Sequence, residues 1–151
     1  MEKVLDIDET IRKAAKEAIK EYENEKALNN TKMLFTYYND LKLYLNNAEC
    51  TEKMVKSDLA DEAYIEDLKK SNIRTLIIVL HMDKAMEALE NKEKQLNTME
   101  KFNAFYFKYI KKHTYEQIAD DLNCGIVTAR RWVNEMLKEL SVYMFGVEGL
   151  L

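Results

Sequence analysis

The sequence predicts an all-α protein, and three observations carry that prediction. The 151 residues contain no proline. They contain three glycines, Gly125, Gly146 and Gly149, so 124 residues precede the first. Helix interiors tolerate neither residue type well. A sandwich or barrel of this length would need many Gly, Pro and Asn-Gly turns. Finally, apolar residues recur at steps of three and four, the period of a helix with one buried face.

A first helix is expected over residues 8–26, capped by Asp8. Ile11, Ala15, Ala18, Ile19 and Tyr22 form its apolar stripe, with Lys and Glu on the other face. Asn29, Asn30 and Thr31 are expected to break the chain and cap a second helix running to Asn46. Leu34, Tyr37, Tyr38, Leu41 and Leu45 mark its buried side, with internal core favoured over a subunit interface. Ser57 or Asp58 can cap a third helix through Tyr64, Ile65 and Leu68 to Lys70. A fourth follows to Glu90, with Ile73, Leu76, Ile77, Leu80 and Leu89 as its expected apolar face. The polar run from Asn91 to Gln95 reads as a boundary. Beyond it, Phe102, Phe105, Tyr106, Tyr109 and Ile110 make an aromatic helical stripe.

Composition narrows the function classes. The net charge is −4, which speaks to solubility and not to a local site. Of the 23 Lys/Arg and 27 Asp/Glu, seven of each lie from Asn97 to Leu151, leaving 16 bases and 20 acids upstream. The C-terminal part is therefore neutral, which permits nucleic-acid binding without demanding it. The longest apolar run, Leu76 to Leu80, falls far short of the roughly 20 residues of a membrane helix. The acidic N-terminus lacks signal-peptide organisation, so a cytoplasmic protein is expected. Cys50 and Cys124 belong to no Cys/His cluster and read as free thiols. His81 and His113 are far apart, His81 reading as a partly buried helix residue, and no catalytic constellation or phosphate loop is visible. Asp120-Asp121 reads as a solvated helix face, since adjacent helical residues point in different directions. The expectation is a protein that is not an enzyme, with no catalytic residues, no metal and no cofactor.

The most informative string is Thr114-Tyr-Glu-Gln-Ile-Ala-Asp-Asp-Leu-Asn-Cys-Gly-Ile-Val-Thr-Ala-Arg-Arg-Trp-Val-Asn-Glu-Met136. Thr114 and Gln117 have capping-box spacing, so a helix should begin there. Ile118 and Leu122 share a face, and the small Ala119 lets a crossing helix approach. Asn123 suits the left-handed conformation of a tight turn. A second helix starts near Gly125 and turns Ala129, Trp132, Val133 and Met136 inward. Two short helices joined this way match the helix-turn-helix unit that reads duplex DNA. On that reading Gly125, Ile126, Val127, Thr128, Arg130, Arg131 and Asn134 face the DNA. Arg130 and Arg131 suit guanine edges or phosphate oxygens, and Ile126 and Val127 suit thymine methyls. Lys108, Lys111, Lys112 and His113 would meet the phosphate backbone. Trp132 reads as a core anchor.

Thr114 to Leu122, followed by Thr128-Ala-Arg-Arg-Trp132, resembles the C-terminal helix-turn-helix of sigma-70-family factors. It is still more similar to the phage late-transcription regulators of the ArpU and RinA type. In that group a Leu-Ser helix end and Phe-Gly follow, as in Leu140-Ser-Val-Tyr-Met-Phe-Gly146 here. The layout of Ile73 to Ile78, Asp83 to Leu89 and Phe105-Tyr-Phe107 is also similar, so the resemblance spans Tyr64 to Gly146. It implies a phage or prophage regulator that binds promoter DNA, acting with RNA polymerase. Two departures stand out. The residue before the recognition helix, often Ser in the family, is Gly125, and the next two, often polar, are Ile126 and Val127.

The expected organisation is an N-terminal helical scaffold over 1–92 suited to oligomerisation as a homodimer, a helix-turn-helix domain over 96–146, and a tail over 147–151. Two other functions fit the same features. One is a DNA-packaging component similar to a phage small terminase subunit, which would form a ring. The other is a protein-interaction module binding the transcription machinery. No membrane association is expected.

Overall fold

The computed structural model describes residues 2–46, 59–69 and 72–146. Seven α-helices make up their regular structure: α1 (Glu2–Thr36), α2 (Tyr38–Asn46), α3 (Leu59–Lys69), α4 (Asn72–Leu96), α5 (Met99–Tyr109), α6 (Tyr115–Leu122) and α7 (Ile126–Phe145). There is no strand among the described residues, and no helix among them is long and apolar enough to cross a membrane. The proposed caps Ser57 and Asp58, together with Cys50 and the tail 147–151, lie outside the described residues.

One cluster of buried side chains draws on all seven helices. It runs from Leu34, Phe35, Tyr38 and Leu41 through Ile65, Val79, Met82 and Leu89 to Phe105, Ile118, Val133 and Leu140. Helix α7 is its hub and packs on α1, α4, α5 and α6. Its buried residues Ala129, Val133, Met136, Leu137, Leu140, Ser141 and Met144 recur at helical steps over about four turns. Phe105 of α5 meets Phe35 of α1 edge-on, with ring centroids 5.4 Å apart.

Four expectations for the N-terminal half are corrected. Asp8 is not a cap, because α1 already starts at Glu2. Asn29-Asn30-Thr31 does not break the chain. Thr31 is buried there, and its Oγ1 donates to the Ala27 carbonyl at 2.8 Å, so the would-be cap satisfies its hydroxyl inside the helix. The interruption falls at Tyr37, whose N–H is shared between the carbonyls of Met33 and Leu34, both at 3.2 Å.

Helix α4 also runs past Glu90 to Leu96, through the polar residues read as a boundary. Glu93 is buried in that stretch and accepts from the Thr98 hydroxyl across the turn into α5, while the Thr98 N–H donates to the Glu93 carbonyl at 2.9 Å. Asn97 takes a left-handed φ of 56° at that turn.

The apolar face of α4 is the fourth correction. Ile73, Leu76, Ile77 and Leu80 are 46–72% exposed. The buried side is Thr75, Val79, Met82, Ala85, Met86, Leu89 and Glu93. That stripe persists over the helix, whereas the aliphatic stripe gives way to Lys84 and Glu87 beyond Leu80. Length of face outweighs local hydrophobicity. Leu34, Tyr37, Tyr38 and Leu41 are buried, as internal core requires. His81 is exposed, with Nε2 3.1 Å from the Tyr143 carbonyl.

Candidate nucleic-acid interface

The geometry around α6 follows from local chemistry. Thr114 caps α6 with extended backbone. Its Oγ1 accepts from the Gln117 N–H at 3.2 Å, and Gln117 Oε1 accepts from the Thr114 N–H at 2.9 Å. The capping box thus satisfies two otherwise orphaned donors. At the other end Asn123 is left-handed, with φ 55° and ψ 47°. The Cys124 N–H closes the turn on the Ala119 carbonyl at 3.0 Å. Gly125 then starts α7 with extended backbone and no side-chain cap, and its carbonyl accepts the Ala129 N–H at 3.0 Å.

Ile118 and Ala119 of α6 are buried with Ala129 and Val133 of α7, so the two helices are held by a small apolar seam. Trp132 is half-buried against the same core. The opposite side of α7 is open. Val127 is 81% exposed, and Gly125, Ile126, Arg130, Arg131 and Asn134 are exposed with it. Thr128 is half-buried at the edge. Glu135 lies beside this face, 3.9 Å from Arg131 Nε and 3.0 Å from Lys101 Nζ.

The four residues ahead of α6 do not act together. Lys108 reaches toward α7: its Nζ lies 4.3 Å from the centroid of the Tyr115 ring, and the Arg130 guanidinium lies 5.0 Å from the same centroid. Tyr115 therefore gathers one cation from α5 and one from α7 at the start of α6. A cation over an aromatic face is held by the ring quadrupole. Burial pushes the Tyr115 phenol up, and Arg130 pulls it back down. Tyr109 is pushed up to about 12, first by burial and then by Tyr115.

Lys111 turns the other way, 5.8 Å from the Tyr106 ring centroid. Lys112 adopts a left-handed φ of 59° and donates to the Thr36 carbonyl at 2.8 Å, tying the α5–α6 link to the end of α1. Burial lowers its ammonium pKa, with nearby Asp40 opposing that fall. Asn39 adds a second tie, donating to the Ile110 carbonyl at 2.9 Å. His113 stacks on Phe107 at 5.5 Å, and its buried Nδ1 is 3.8 Å from Asp121 Oδ2 without a hydrogen bond.

Sequence reasoning missed Tyr115. Its role depends on three helices converging, and no spacing in the chain announces that. Cys124 is a free, half-buried thiol in the turn. No group of three His, Cys, Asp or Glu able to hold a metal occurs among the described residues. Comparison of the chain with known family models, curated proteins and solved structures finds no match in any of the three.

Proposed function

We propose that the chain is a DNA-binding transcriptional regulator of the phage or prophage type. On this reading α6, the turn and α7 form the helix-turn-helix unit, and the helices before it form the scaffold. One observation supports it above the others: α7 buries Ala129, Val133 and Met136 on one side and leaves Val127, Arg130, Arg131 and Asn134 together in solvent on the other. A major groove about 12 Å wide accepts a helix presented this way. Arg130 or Arg131 reads a guanine edge, Ile126 and Val127 pack on thymine methyls, and Lys108 meets a phosphate. Tyr115 positions Lys108 and Arg130 before DNA arrives. Lys112 serves the joint with α1 and contributes less to binding than its charge suggests. RNA polymerase is the expected second partner, as in the regulators the sequence resembles.

The experiment is selection of bound sequences from random duplex DNA at fixed salt, followed by gel shifts with Arg130→Ala and Arg131→Ala. A base-reading arginine is expected to lose about 1–3 kcal/mol and to relax the preference at one position. Unchanged affinity in both variants removes α7 as the reader.

A second reading is favoured by the acidic residues beside the reader. Glu116, Asp120 and Asp121 are exposed on α6, and Glu135 lies close to Arg131. A surface of mixed sign suits a protein partner in the transcription machinery. That reading predicts weak DNA binding without the steep loss on adding salt that phosphate contacts impose. A packaging component instead predicts a ring of about eight or more subunits in solution.

A further inference from the structure

Arg130 and Arg131 are neighbours in sequence, but α7 turns them to different sides. The helix advances about 100° per residue, and its buried residues Ala129, Val133, Met136 and Leu137 centre on one direction. Arg131 lies within about 10° of the opposite direction, whereas Arg130 lies about 100° from it, on a flank. Arg131 thus stands at the middle of the open face, and Asn134 and Val127 fall between the two arginines.

The flank that carries Arg130 is the one that α5 and α6 approach. Lys108 Nζ is 4.3 Å and the Arg130 guanidinium 5.0 Å from the centroid of the Tyr115 ring. The two cations therefore stand at most about 9 Å apart. Among the described residues neither has a carboxylate partner, whereas Arg131 has Glu135 at 3.9 Å. Two positive groups gathered on one ring, with no negative group beside them, leave an unbalanced field. Neighbouring groups feel it. Burial raises the Tyr115 phenol and Arg130 opposes that rise. Burial lowers the Lys112 ammonium, Asp40 opposes the fall, and Lys108 adds to it.

We infer that the two arginines have different partners on duplex DNA: Arg130 and Lys108 close together on one backbone phosphate, and Arg131 alone reads a base edge. This rests on the DNA-binding reading above and divides its chemistry between residues. A phosphate presents several oxygens, so it accepts from an ammonium and a guanidinium at once. A guanine edge presents O6 and N7, to which a single guanidinium donates two bonds. Tyr115 is a positioning residue. Its ring holds two long side chains that would otherwise lose rotamer freedom on binding.

The test is binding of the full chain to its selected duplex, and to single-base variants of that duplex, over a series of salt concentrations. Arg130→Ala is expected to weaken every duplex by the same factor, about tenfold, with base preference kept. Arg131→Ala is expected to abolish a preference for one guanine worth about 5- to 150-fold. Arg130→Lys should bind nearly as the parent does, because lysine meets a phosphate as a point charge. Arg131→Lys should lose the guanine preference with the fork geometry. Lys108→Ala combined with Arg130→Ala should lower the slope of log affinity on log salt by about 0.9, the loss of one phosphate. Tyr115→Phe should match the parent, and Tyr115→Leu should weaken all duplexes as Arg130→Ala does. The arginine and lysine variants decide the matter if Tyr115→Leu does not fold.

Base preference altered by Arg130→Ala, base preference kept in Arg131→Ala, or a slope loss near about 1.8 in the double variant overturns the division. A parent chain that binds no duplex removes the DNA-binding reading itself, and the division with it.

Discussion

Gly125 is the residue at which the chain departs from the pattern it resembles, and its surroundings give that departure a measurable consequence. Its φ of −78° and ψ of 159° are open to any residue. A Cβ built there meets nothing within 4 Å. Serine would supply the missing cap hydroxyl to α7 and restrict the unfolded chain. Gly125→Ser is therefore expected to raise stability by about 0.5–1 kcal/mol, read from the urea midpoint at constant slope. No steric demand of the fold holds glycine here. In the DNA-binding reading, the absence of a side chain lets the start of α7 come close to a phosphate. Tyr115 makes the complementary point. Its ring supports Lys108 and Arg130 at once, and those residues lie on three successive helices.

At the scale of elements, local rules were legible and long-range choices were not. Thr114, Gln117 and Asn123 announce both ends of α6, because capping depends on neighbours a few residues away. The inward positions of α7 and the aromatic stripe of α5 follow from period alone. The face of α4 does not. Two stripes compete on that helix, and the winner is the one that α2, α3, α5 and α7 cover between them. This gives a direct comparison. Met82→Ala is expected to destabilise by about 2–4 kcal/mol, as for a fully buried large side chain. Leu76→Ala should change stability by less than about 0.5 kcal/mol, although leucine is the more hydrophobic residue. Chemical denaturation of both variants decides it. The persistence of α1 through Asn29 and Asn30 was hidden for a related reason. Burial of Thr31 against the body of the protein overrides weak local breaking signals.

At the scale of the whole molecule, α7 is both the exposed candidate reader and the hub of the core. Lys92 pairs with Glu139 at 2.8 Å and Lys101 with Glu135 at 3.0 Å, so α4 and α5 each brace it by charge as well as by packing. The joint at Tyr37 is tied through Lys112 and Asn39 to the link ahead of α6. The proposed reader is thus fixed to α1 and α2.

Because α7 is one continuous rod from Ile126 to Phe145, occupancy of its open face and cohesion of the core share a single free energy. A ligand that binds only the folded chain adds about 2.7 kcal/mol of stability at about a hundred times its dissociation constant. Duplex DNA that docks on Arg130 and Arg131 is accordingly expected to raise the melting temperature of the whole core, and Arg131→Ala is expected to shrink that rise. A duplex held through some other surface would stabilise the Arg131→Ala chain just as well.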